Sequence, residues 1–147
     1  MMIKYNILSF TFSLLISFNC NSQSNNWEFY KSLDGVEVFT MKVNCVPKKG
    51  GFDMDLILLK ISNTNSTSKA ISWKEALWYN NKCITCNSNS AEYLRELSLP
   101  PNAELIGKCE DYDHPFLSLF VKFTDKNYKN DNFQVLTKFE LEDFKVE

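Results

Sequence analysis

"FDMDLILLKISNTNSTSKAISWKEALWYN", residues 52–80, holds two apolar runs of strand length on either side of a short polar turn. In the second run Ile71, Trp73, Leu77 and Tyr79 fall on one face, the period-two pattern of a half-buried strand. In the first run the alternation switches face near Ile57, as expected of a central strand or of one with a bulge. Glu75 has the parity of Trp73 and Leu77, so strict alternation would bury it. A bulge or an edge position that turns it to water is the simpler expectation.

The same period extends in both directions. WEFYKSL at 27–33 leads through Asp34-Gly35, a strong hairpin signal, into VEVFTMKVNC at 36–45, where Phe39, Met41, Val43 and Cys45 share a face. PKKGG at 47–51 then breaks the chain. Beyond residue 90, AEYLRELSLPP supplies Tyr93, Leu97 and Leu99, and AELIGKC at 103–109 is short. PFLSLFVKF at 115–123 aligns Leu117, Leu119, Val121 and Phe123. FQVLTKFELEDFKV at 133–146 aligns Phe133, Val135, Phe139 and Leu141, then slips register before Phe144 and Val146. Only AEYLRELSL would also fit a helix. About eight strands separated by turns predict an all-β protein, an antiparallel β-sandwich in one domain over 27–147.

The N-terminus reads differently. Lys4 precedes ILSFTFSLLISF at 7–18, an apolar run too short to span a bilayer, and small polar residues follow. This is the pattern of a secretory signal over residues 1–22, with 23–26 as a short tether. Cleavage falls either before Cys20 or after Ser22, where Cys20 and Ser22 are the small residues of an A-x-A-like site. Without the signal, about 125 residues remain, the size of one domain. Lys4 is the one charged residue lost, so 15 basic side chains face 18 acidic ones, a net charge of −3. That balance provides no basic face for phosphates and argues against a nucleic-acid partner.

Export decides how the cysteines are read. Cys45, Cys83, Cys86 and Cys109 are an even set, and in an oxidising compartment they predict disulfides, in any of three pairings. If strands run alternately up and down, all four thiols lie at one end of the sandwich. The rival reading is a redox-active Cys83-x-x-Cys86, which ordinarily sits at a helix N-terminus within a βαβ pattern; neither is predicted here. Haem attachment needs a His where Asn87 stands, and a four-Cys zinc site would lack its usual paired spacing. No catalytic, cofactor-binding or metal-binding residue is therefore assigned. Glu110, Asp111, Asp113 and His114 in CEDYDHP suit a solvated turn better than a calcium loop. Trp78, of opposite parity to Trp73, together with Tyr79 and Tyr93, forms the best candidate surface for a protein or carbohydrate partner.

Two resemblances add to this. LLKISNTNSTSKAISW and LSLPPNAELIGKC resemble the Asn-Thr turn and the Leu-Pro-Pro-Asn corner of Ig-like domains of bacterial exported proteins, which implies an Ig-like sandwich. Ser17, Phe18, Asn19 and Cys20 resemble the box that precedes the lipidated cysteine of bacterial lipoproteins, although Phe18 and Asn19 stand where small residues are usual. With 15 lysines to one arginine and abundant Asn, the chain is similar to small exported lipoproteins of the Bacteroidetes type. The resemblance implies a periplasmic or outer-membrane-associated protein, attached to the membrane only through acyl chains on Cys20; cleavage after Ser22 would instead make it a secreted protein. The expected function is non-catalytic binding or structural support in the envelope. A thiol–disulfide protein using Cys83 and Cys86 is the alternative.

Overall fold

The structure, a computed structural model, describes residues 26–48, 50–86, 88, 90–110, 113–125 and 134–147. The expected signal segment, with Cys20, and Asp111 and Phe133 lie outside the described residues. Among the described residues nine strands form two antiparallel sheets: β1 (Glu28–Leu33), β2 (Val36–Cys45), β3 (Met54–Asn63), β4 (Lys69–Tyr79), β5 (Lys82–Cys83), β6 (Leu94–Leu99), β7 (Glu104–Ile106), β8 (Ser118–Phe123) and β9 (Leu136–Val146). The first sheet has the order β1-β2-β3, with β7 and β8 both on the far edge of β3. In the second, β4 lies between β9 and the pair β5 and β6. The chain crosses between sheets after β3, β6 and β8, so β7 and β8 return beside β3 and β9 returns beside β4. This is the Greek-key connection of an Ig-like sandwich.

Each central strand thus has an interrupted edge partner. β7 stops beside Lys60, and the chain leaves the sheet until β8 resumes beside Leu58. Gly107 and Leu117 bound this excursion and come so close that a Cβ on Gly107 would stand 2.1 Å from the Leu117 carbonyl oxygen. Only glycine leaves the room. On the other central strand, β6 covers Lys69 to Lys74 and β5 covers only Trp78 and Tyr79.

The main core lies between the sheets: Val36, Val38, Leu59, Ile61 and Leu117 face Ile71, Trp73, Leu99 and Leu141. A second cluster lies on the outside of the first sheet. Cys45, Leu56 and Leu58 are buried there, with Trp27, Met41, Val43, Met54 and Phe120 packed around them. Phe39, Met41, Val43 and Cys45 therefore do share a face, but it is the outer one, and Val36 and Val38 make the inner contacts. The first sheet inverts its amphipathy along its length. Toward the Asp34-Gly35 end the inner face is apolar; toward the β2–β3 turn, Lys42, Asn44, Asp55 and Lys122 share the inner parity and the apolar side chains face out. In β3 all four residues from Leu56 to Leu59 are buried, the central-strand outcome of the face switch near Ile57.

Two bulges correct the expected faces. Val121 is an extra residue opposite the Asp55–Leu56 step, so Leu117, Leu119 and Val121 point inward while Phe123 moves out against Phe52. In β9, Asp143 (φ 50°) lies in a bulge opposite the Ser72–Lys74 step, which is the slip that lets Phe144 and Val146 rejoin the core. Leu136, not Val135, packs inward at the start of this strand. The expected strand at 91–99 opens as a 3-10 turn (Ala91–Tyr93), as does the one at 115–123 (Pro115–Leu117).

The upper end is held by one buried amide. Asn63 is 1 % exposed, and its Nδ2 donates to the carbonyls of Thr67 (2.9 Å), Leu99 (3.2 Å) and Pro100 (2.9 Å). Its Oδ1 accepts from the backbone and side-chain amides of Asn65, each at 3.0 Å. Asn65 in turn donates to the Asp34 carbonyl at the β1–β2 hairpin, where Asp34 and Gly35 both have positive φ, as a type I′ turn requires. The Asn-Thr turn and the Leu-Pro-Pro-Asn corner are thus one hydrogen-bonded unit. Replacing Asn63 by Ala would leave several buried carbonyls unpaired. Chemical denaturation should show a loss of about 3 kcal/mol, with Asn63→Asp nearly as damaging because it also removes the donor.

Candidate functional site

Cys83 and Cys86 are bonded to each other, and Cys45 to Cys109. The CxxC begins in a strand too short to be read from the sequence, β5. Asn80 and Asn81 both have positive φ (50° and 64°), making a two-residue type I′ turn that folds Lys82 and Cys83 back onto Tyr79 and Trp78. An Asn-Asn pair is the signal that could have predicted it. The loop then fills the gap left between β5 and β6. Ile84 N–H donates to the Leu77 carbonyl (2.9 Å), and Thr85, fully buried, sends its hydroxyl to the Glu75 carbonyl while accepting from Leu77 N–H, both at 2.8 Å. One hydroxyl thus satisfies β4 backbone groups that a missing strand would have paired. The Cys83–Cys86 bond closes the loop that presents it. Within that loop, Cys86 N–H donates to Cys83 Sγ at 3.0 Å, and Lys74 Nζ donates to the Cys86 carbonyl at 3.3 Å.

Behind this loop lies Glu75, 4 % exposed rather than turned to water. Its carboxylate is gripped bidentately by Arg95 of β6, with Nε and Nη2 at 3.0 and 2.9 Å. Arg95 Nη1 also donates to the Glu92 carbonyl, which fixes the guanidinium plane. Burial pushes the Glu75 carboxyl above its ordinary value, and the Arg95 hydrogen bonds and charge pull against that shift. Arg95 is the one arginine among fifteen lysines. Two parallel donors suit a carboxylate in a way an ammonium does not, and this compositional exception was the available sign of a buried partner.

The aromatic residues part company. Trp73 is fully buried, against Phe116 and Phe144. Trp78 is half-buried on the outside of the second sheet, with the Lys138 ammonium 4.3 Å from its ring centre. Tyr79 does not join it there. Its parity sends it between the sheets, where its hydroxyl donates to the Phe120 carbonyl at 2.6 Å, and burial raises its pKa. Tyr93 is half-buried in the 3-10 turn before β6.

A larger aromatic surface lies on the first sheet. Phe29 (61 % exposed) meets Phe39 edge-on, Phe52 (43 %) meets Phe123, and Phe120 packs on Phe123. Lys60 stands over Phe39 and Trp27, at 4.5 and 5.4 Å from their ring centres. Val46, 65 % exposed, follows directly on Cys45. The excursion between β7 and β8 is tied to this face by Cys45–Cys109, a bond that spans β3. Closing a loop with a separation of 64 residues restrains the unfolded chain by about 4 kcal/mol, whereas the separation of 3 in Cys83–Cys86 restrains little. Both disulfides lie toward the β2–β3 turn end, but they belong to different sheets.

Among the described residues no group of three or more His, Cys, Asp or Glu is placed to hold a metal ion. In the acidic turn, Glu110 accepts from Lys48 N–H (3.1 Å) and His114 lies edge-on to Phe116. No family model, no curated protein and no solved structure matches the chain.

Two substitutions test these contacts. Thr85→Val keeps the shape of the side chain and removes the hydroxyl, so denaturant melts should show a loss of about 2 kcal/mol; Thr85→Ser should retain most of it. Arg95→Met leaves the Glu75 carboxyl buried without its counter-charge. Its folded-state pKa then rises further above the unfolded value, so the neutral acid is tolerated at low pH and ionisation opposes folding. Against wild type, the variant should lose little near pH 4 and about 3 kcal/mol by pH 8, as measured by thermal unfolding across pH.

Proposed function

We propose that the chain is an exported, non-catalytic β-sandwich with a binding role in the cell envelope, held at a membrane surface by acyl chains on Cys20. It engages a protein partner through the apolar outer face of its first sheet. The observation that carries this reading is that face itself. Phe29, Phe39, Phe52 and Val46 surround an already buried cluster on a surface that the second sheet does not cover. Contiguous apolar area of this kind, bordered by polar residues such as Glu37, is the usual mark of an interaction site. Two disulfides are compatible with an oxidising compartment and so with export.

A second reading is a thiol–disulfide role for Cys83 and Cys86. It is supported by the Cys86 N–H aimed at Cys83 Sγ, a contact that would stabilise a thiolate there. Mild reductant should cycle this bond reversibly under native conditions if that role holds.

Photo-crosslinking in the native host tests the main proposal. A benzoylphenylalanine placed at Phe29 or Phe52 should trap one protein that the same group at Glu37 does not; equal trapping at all three positions would sink the partner surface. Intact-mass measurement of the native protein should find an acylated N-terminal Cys20. A chain beginning at Gln23 would remove the anchor.

A further inference from the structure

The inverted amphipathy of the first sheet has a second effect, on the inner side. Among the described residues β1 pairs with β2 only from Val36 to Thr40, which leaves the lower part of β2 without a strand on that side. A cleft of about 680 Å³ lies there between the lower part of the first sheet and the start of β9. Its apolar walls are Ile57 and Val121 on one side and Leu136 and Phe139 on the other, all members or neighbours of the main core. Its polar groups come from the inner-facing positions of β2, β3 and β8 and from Thr137 and Lys138 of β9, and the Lys138 ammonium is paired with Glu140 at 2.7 Å.

Those polar groups do not balance. The Asp55 carboxylate accepts from Asn44 Nδ2 at 3.0 Å and faces the Lys122 ammonium at 3.7 Å, and Asn44 also reaches Thr124 Oγ1 at 2.9 Å. This carboxylate is therefore already matched. Lys42, on the same wall, has no ion-pair partner among the described residues. Among the described residues, the cleft carries one surplus positive charge beside an apolar floor, in a chain whose formal net charge is −2. A neutral apolar guest would leave that ammonium unused, and a small inorganic anion would leave the floor unused. A cation would meet an Asp55 that is already paired.

We infer that the cleft binds a small amphipathic anion, its carboxylate or similar head at Lys42 and its alkyl or aromatic body against Ile57, Val121, Leu136 and Phe139. The volume lies in the range of ordinary small-molecule sites. This site is on the opposite side of the sheet from the protein-binding face and stands or falls independently of it.

Calorimetry with the mature protein and octanoate, 1-octanol and acetate tests the inference. Octanoate should bind at one site, octanol about tenfold more weakly, and acetate not measurably. Lys42→Gln, an exposed substitution that should not disturb folding, should weaken octanoate about tenfold and leave octanol unchanged. Val121→Trp should fill the cleft and abolish binding of both, with circular dichroism to verify that it folds. Phe29→Ser on the outer face should change neither. Equal affinity for octanoate and octanol would overturn the inference. So would indifference to Lys42→Gln, or loss of binding on Phe29→Ser.

Discussion

β3 has to be covered on both faces, and much of the molecule follows from that. Four consecutive buried residues, Leu56 to Leu59, cannot be satisfied by one opposing sheet. The second sheet covers Ile57 and Leu59. Leu56 and Leu58 need a cover of another kind, and they have it in Cys45, Met41, Val43, Met54 and Phe120, beside an excursion tethered through Cys109. Once apolar side chains occupy the outer parity of the lower sheet, the inner parity is left to Lys42, Asn44, Asp55 and Lys122. The outer patch and the inner cleft have one cause.

The upper end solves a different problem. There the chain crosses between sheets twice within a few ångströms, after β3 and after β6, and the crossings carry backbone groups that no ladder pairs. Asn63 is placed where a single primary amide reaches three of those carbonyls and one neighbouring turn. Thr85 performs a similar service for β4 with one hydroxyl. In both places a short polar side chain substitutes for a missing strand, which is cheaper in chain length than extending a ladder.

The sequence revealed the elements better than their partnerships. Period-two alternation, Asp34-Gly35 and the two prolines were enough to locate eight strands and the antiparallel sandwich class, because those signals are local. Even the register slip in β9 was visible as a change of parity between Leu141 and Phe144. What stayed hidden was relational. Phe39, Met41, Val43 and Cys45 do alternate, but alternation cannot say which of two faces meets the other sheet. Glu75 looked misplaced because its partner, Arg95, lies twenty residues away on another strand. The cysteine pairing was open for the same reason: strand direction places the thiols at one end without saying which sheet holds each. Tyr79 was grouped with Trp78 as a surface residue although its parity, like that of Trp73, turns it inward.

The interrupted edges of β3 and β4 bear on solubility as well as on shape. A continuous strand along either edge would present a row of unpaired amides and carbonyls, a template onto which a second chain could add by edge-to-edge pairing. Here each edge partner is split in two, with a loop stepping out between the halves, one tied by Cys45–Cys109 and the other closed by Cys83–Cys86. The two cross-links thus hold the split partners in place along one edge of each sheet. A chain still reduced would lack those cross-links while already carrying the apolar run from Leu56 to Leu59.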